Sequence, residues 1–164
     1  MKSRTFLFIS IILLYNVLSA QNTDKTDGAY IGGLKVGDKY AKSKLIEVFG
    51  TPQKIEQDTE YPTLYTLYYG KDSFFWMNGE FYGCELETNK YSFGGKIRVG
   101  DPISAIDELH GKSDKRILTS GVYAGSIHWL PANADPAEWE WLKVVFYYDR
   151  NERIVRISAT VWFI

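Results

Sequence analysis

The chain has 164 residues, with 19 Lys and Arg against 20 Asp and Glu and a formal net charge of −1. A balance this even, with no clustered basic residues, excludes the electrostatic footprint of a nucleic-acid-binding protein. One cysteine, Cys84, excludes an intramolecular disulfide framework, so stability has to come from an apolar core.

Lys2 and Arg4 precede an apolar run from Phe6 to Leu18, broken by Ser10 and Asn16, and Ser19-Ala20 supplies small residues before Gln21. Basic start, apolar centre and small-residue exit is the order of a secretory signal peptide. The run is shorter than the roughly 20 residues that cross a bilayer. Residues 1–20 are therefore expected to be cleaved near Ala20, leaving an exported, periplasmic or secreted chain with no membrane span. No cysteine follows the run, so no lipid anchor is expected. Residues 21–31 read as a lead-in, polar and charged over most of their length.

Two stretches then begin alike, Leu34-Lys35-Val36-Gly37-Asp38 and Ile97-Arg98-Val99-Gly100-Asp101. In the first, Asp38 is expected to cap a helix whose apolar face is Tyr40, Leu45, Ile46, Val48 and Phe49, with Gly50 ending it and Pro52 preventing continuation. Strands are expected at 64–69, 73–77 and 80–88, the last two joined by Asn78-Gly79, a strong signal for a tight hairpin turn. In the second, Asp101 caps, Pro102 opens a shorter helix with Ile103, Ile106 and Leu109 on one face, and Gly111 closes it. Strands are expected at 125–130, 141–148 and 153–163. Pro131 to Trp139 forms an insertion without counterpart in the first half. The fold class expected is α+β: two tandem α-β-β-β repeats, unit one at 32–94 and unit two at 95–164, with both helices on one face. Along 155–161, Val155, Ile157, Ala159 and Val161 alternate with Arg156, Ser158 and Thr160, the pattern of a sheet covered on one side only.

The hydrophobic-x-hydrophobic-Gly-Asp lead, the short helix closing on Gly and the antiparallel strands ending at Phe146, Asp149, Ile154 and Ile157 resemble the unit of the SmpA/OmlA (BamE-like) domains and of the β-lactamase-inhibitory-protein fold. The resemblance implies tandem units and, for the inhibitor family, an open sheet that clasps a partner enzyme. The BamE-like members are envelope lipoproteins in outer-membrane assembly. This chain has neither the lipidated cysteine of the one nor the disulfides of the other.

No catalytic constellation emerges from the residues. Cys84, with His110 or His128 as base, would be a nucleophile, but its alternation with Tyr82 and Leu86 is that of a core residue. Two histidines eighteen positions apart make a poor start to a metal site, so no metal and no cofactor is expected. Asp38 and Asp101 recur as a pair of carboxylates, which capping explains without acid–base chemistry. Glu85 and Glu87 read as a solvated strand face.

Aromatics make up 16% of the chain, more than a small core needs. Period two puts Trp141, Lys143 and Tyr147 on one face and Arg156 and Trp162 on the matching face of the next strand, with Trp139 in the adjoining insertion. Either these side chains lie bare as a platform, or a second layer or a dimer partner covers them. Tyr, Trp and Arg are the residue types that anchor interfaces. The function expected is non-catalytic binding of a protein partner through this face. The alternatives are a carbohydrate-binding module stacking the same rings on a glycan, and a small hydrolase of unfamiliar geometry.

Overall fold

A computed structural model describes residues 28–109, 111–118, 121–132 and 142–161. A two-stranded ribbon, β1 (Tyr30–Ile31) and β2 (Leu34–Lys35), leads into an α-helix, α1 (Lys42–Phe49). Four strands follow: β3 (Lys54–Gln57), β4 (Leu64–Tyr69), β5 (Asp72–Met77) and β6 (Glu80–Leu86). A 3-10 helix (Ile103–Glu108) then precedes β7 (Gly111–Ile117), β8 (Gly125–Pro131), β9 (Leu142–Tyr148) and β10 (Ile154–Val161). The eight longer strands form one antiparallel sheet in the order β3-β4-β5-β6-β10-β9-β8-β7.

This corrects the expected α+β architecture of two helix-plus-sheet repeats. The protein is mostly β, and among the described residues helix amounts to eight residues of α1 and six of 3-10. Apolar residues three and four apart stabilise a helix only as far as there is sheet to cover, and the ladder of eight strands takes most of the chain. Nor were β3 and β7 expected as strands. They are exposed along their whole length and polar but for Ile55 and Ile117, so no period marks them. They are edges, held by one backbone ladder each.

The two Gly-Asp pairs do not cap helices. Gly37 N–H donates to the Phe81 carbonyl at 2.7 Å, and Phe81 N–H returns a bond to the Asp38 carbonyl at 2.9 Å. Gly100 N–H donates to the Ile154 carbonyl at 2.7 Å, and Ile154 N–H to the Asp101 carbonyl at 2.9 Å. Both glycines sit at positive φ, +92° and +98°, where a side chain would be strained. Each pair is thus an extra rung laid against a strand, the first on β6 and the second on β10. That pairing pulls Asp38 away from the helix, which starts after Ala41 with no side-chain cap. Asp101 spends its carboxylate backward instead, accepting from Arg98 N–H at 2.8 Å, and Pro102 is the residue before the 3-10 helix rather than its first. Gly50 does end α1, at φ +90° with its N–H on the Ile46 carbonyl. Gly111 does not end the second helix. Leu109 does, and Gly111 opens β7 opposite Pro131. A side chain there would collide with Trp129.

Both helices lie on one side of the sheet, where the core forms. Phe49 of α1 stacks on Phe74 of β5 with centroids 3.9 Å apart, and Phe81 and Tyr91 complete that cluster. Phe93 meets Trp129 and Phe146 edge-on, both at 5.3 Å, under the other half. The halves meet at β6 and β10, in the register Ala159↔Cys84 and Thr160↔Gly83. A Cβ on Gly83 would be driven into the Ala159 carbonyl oxygen and to 2.9 Å from Thr160 Cγ2. Gly83→Ala is therefore expected to cost about 1–3 kcal/mol by overpacking this seam, read as a lower urea midpoint with an unchanged slope.

Candidate binding face

The side of the sheet opposite the helices is built by the alternate residues of every strand. Register carries one row across all eight: Lys54, Tyr68, Ser73, Glu85, Ser158, Val145, His128 and Asp114. A second row runs Arg156, Tyr147, Ser126 and Arg116 over the last four. Small side chains on this face, Ser73, Val145 and Ser126, are buried, while Tyr68, Tyr147 and Arg156 are half-buried and Lys143 is exposed.

Arg156 holds the centre. One guanidinium nitrogen is paired with Glu85, and the other lies 3.7 Å from Glu87 and donates to the Tyr123 hydroxyl at 3.4 Å. The Tyr147 ring centroid is 5.9 Å from the guanidinium carbon, and Tyr123 lies over Tyr147 at 4.7 Å between centroids. Burial, the largest single influence, opposes the charge on Arg156, but the bonds to Glu85 and Tyr123 outweigh it and hold the pKa above its ordinary value. Arg156 Nε is buried with no hydrogen-bond partner. One charged donor is therefore left over at the middle of the face.

Toward β7 the face turns basic around His128. Burial first, then the charges of Arg116 and Lys143, hold the imidazole pKa below its usual range, and Asp114 opposite does not reverse the shift. Toward β3, Lys54 pairs with Glu56 beside Tyr68, next to a shallow hollow of about 290 Å³. A wider open hollow, about 550 Å³, lies off the face between the β7–β8 and β9–β10 turns, lined by Leu118, Val122, Tyr123 and Asn151 among others.

Of the residues singled out from the sequence, Lys143, Tyr147 and Arg156 do share this face. Trp139, Trp141 and Trp162 lie outside the described residues, as does His110. Tyr123 was missed because it sits in a turn with no period. Glu85 and Glu87 were taken as merely solvated, and nothing local says that Arg156 of a distant strand would pair with them.

The reactive-group candidates separate rather than converge. Cys84 is fully buried on the core side, opposite Phe74 and Ala159, and burial drives its thiol pKa far above the ordinary value. His128 faces the other side, so the sheet itself stands between them. Buried Asp72 is occupied by three hydrogen bonds: Glu87 N–H at 2.8 Å, Thr88 N–H at 2.9 Å and the Thr88 hydroxyl at 2.5 Å. These tie down the end of β6. No three His, Cys, Asp or Glu side chains among the described residues are grouped to hold a metal, and no described helix is long and apolar enough to cross a membrane.

No family model and no curated protein matches this chain. Among solved structures it is similar to an extracellular protein containing a SCP domain from Bacillus anthracis str. Ames, at 12% identity and a TM-score of 0.45. That match covers 77% of this chain and 44% of the other, less than half its length. A likeness of this degree carries neither fold nor function across.

Two outcomes follow from the geometry. Removing Arg156 leaves Glu85 and Glu87 facing each other, so Arg156→Ala is expected to cost about 1–3 kcal/mol. A double-mutant cycle with Glu85→Ala should return a coupling of about 1 kcal/mol by urea denaturation. Cys84 should resist thiol reagents in the native protein at pH 8 and react at once in denaturant, because only the exposed thiolate is nucleophilic. Fast native labelling would contradict its burial.

Proposed function

We propose that this is an exported, non-catalytic binding protein that docks a protein partner on the sheet face centred on Arg156 and Tyr147. Export rests on residues 1–20, whose basic, apolar and small-residue order is that of a cleaved leader. The observation that carries the binding reading is the centre of the face. A half-buried arginine sits between two glutamates and two tyrosines, with one buried donor unpaired.

That composition is the one that anchors interfaces. Arg and Tyr present large contact area, Tyr on only two rotatable bonds, and central, partly desolvated positions carry most of an interface's energy. The Arg–Glu pairs fix the guanidinium plane in advance, which lowers the entropy lost on docking. The helices and the core are all on the other side, so a partner can approach without unfolding anything described here.

A photo-crosslinking residue placed at Tyr147 is expected to give a discrete protein adduct in the envelope or secreted fraction, competed by excess unmodified protein. The same residue at Lys44, on the solvent side of α1, should give none. Adducts identical at both positions would contradict the reading. A glycan-array signal lost in Tyr147→Ala would transfer the face to carbohydrate instead.

A further inference from the structure

Asn78 is the one asparagine in the chain that is followed by glycine. That dipeptide forms tight turns, and it is also chemically reactive. The glycine has no side chain to shield its backbone nitrogen. The nitrogen can therefore close a small ring on the amide carbon of the asparagine side chain before it.

The fold decides when that ring can close. Asn78 and Gly79 are the two loop residues between Met77 and Glu80, which pair across the hairpin, and their φ angles are +53° and +89°. These are the angles of a type I′ turn, whose first central ψ is about +30°. At that ψ the Gly79 nitrogen stands nearly opposite Asn78 Cβ across the Cα–C bond. Ring closure needs the two on the same side. The native turn thus holds nucleophile and target apart, although Asn78 itself is exposed to water.

The turn is also pinned from outside. Tyr40 N–H donates to the Gly79 carbonyl at 2.8 Å, and Trp76 Nε1 donates to the Tyr40 carbonyl at 2.7 Å. Lys39 forms a backbone bridge with Glu80, and Phe81 N–H donates to the Asp38 carbonyl. Swinging Asn78 to the reactive geometry means releasing the segment that leads into α1.

We propose that Asn78 is a spontaneous deamidation site gated by this turn, protected while the end of the β5–β6 hairpin is docked and reactive when it opens. Water is the only co-reactant. The Gly79 N–H gives its proton to base, the nitrogen bonds to Asn78 Cγ, and the bond from Cγ to the amide nitrogen breaks, so that ammonia leaves carrying a proton in turn. Water then opens the ring at either carbonyl. One cleavage restores the chain with aspartate at 78. The other leaves the chain running through the former side chain as isoaspartate, one methylene longer. That extra atom between Met77 and Glu80 spoils the register on which the Tyr40 and Asp38 bonds depend. An opening that ends in reaction is therefore recorded irreversibly. Nothing in this depends on what docks on the sheet face.

The test incubates the full chain, folded and in concentrated urea, at one mildly alkaline pH. Peptide mapping by mass spectrometry follows the gain of about 1 Da at Asn78 and separates aspartate from isoaspartate by retention. The unfolded chain is expected to react at least tenfold faster than the folded one, since local opening limits the latter. Trp76→Phe, which removes the bond to Tyr40, should raise the folded rate several-fold and leave the rate in urea unchanged. Protein carrying isoaspartate should show a lower urea midpoint than the fresh chain. Asn78→Asp, with the same added charge on a normal backbone that tolerates the left-handed conformation, should stay close to the parent. Equal folded and unfolded rates, no mass gain at Asn78 in urea, or a folded Trp76→Phe protein that reacts no faster overturns the inference. A midpoint lowered as far by Asn78→Asp as by ageing overturns the role given to the extra methylene.

Discussion

The structure depends on one seam, where β6 and β10 pair across Gly83. Each of these strands closes its own four-strand meander, and here alone the two meanders join into one sheet. The approach is close enough that no side chain fits at Gly83. On the core side the seam is roofed by apolar pairs, Leu86 against Ile157 and Cys84 against Ala159. The two Gly-Asp pairs bolt a preceding segment of chain onto the same two strands. The loops that carry the helices are thereby fixed to the middle of the sheet rather than to its edges.

A sheet assembled this way is one-sided. The largest aromatics buried in the core, among them Phe49, Phe74, Phe81, Phe93, Trp129 and Phe146, sit under the helices, with Tyr69 and Tyr148 beside them. The opposite side is left with what period two puts there: tyrosines, charges and small residues, with the half-buried Phe75 among them. Because Arg156 is in β10 and Glu85 in β6, the seam that joins the meanders also assembles the centre of the polar face. Ion pairs in such partly buried positions contribute more than exposed ones, and fixing their geometry costs side-chain entropy that a docking partner then need not supply. Core stability and the candidate binding centre therefore rest on the same pairing.

Some of this was legible residue by residue. Asn78-Gly79 reads as a tight turn because both residues take the left-handed conformation locally, at φ +53° and +89°. Ile157 and Ala159 alternate with Arg156 and Ser158, so the faces of β10 follow from spacing alone, and with them the company of Arg156, Tyr147 and Lys143. β3 and β7 were illegible because edge strands held only by backbone bonds need no apolar side chains. Asp38 and Asp101 were misread for a related reason. A local cap and a distant backbone rung compete for the same few residues, and the rungs, supplied by Phe81 and Ile154, won.

The sequence by itself determined which residues prefer apolar surroundings, where the chain turns, and that Cys84 stands alone. These are properties of each residue and its near neighbours. Only the tertiary structure decided that one sheet forms instead of two helix-bearing repeats, that Glu85 and Glu87 meet Arg156 and Tyr123, and that a histidine ends among lysine and arginine side chains. Those outcomes follow from which strand lies beside which. That choice is made by closure of the whole sheet, through backbone hydrogen bonds that every sequence offers equally.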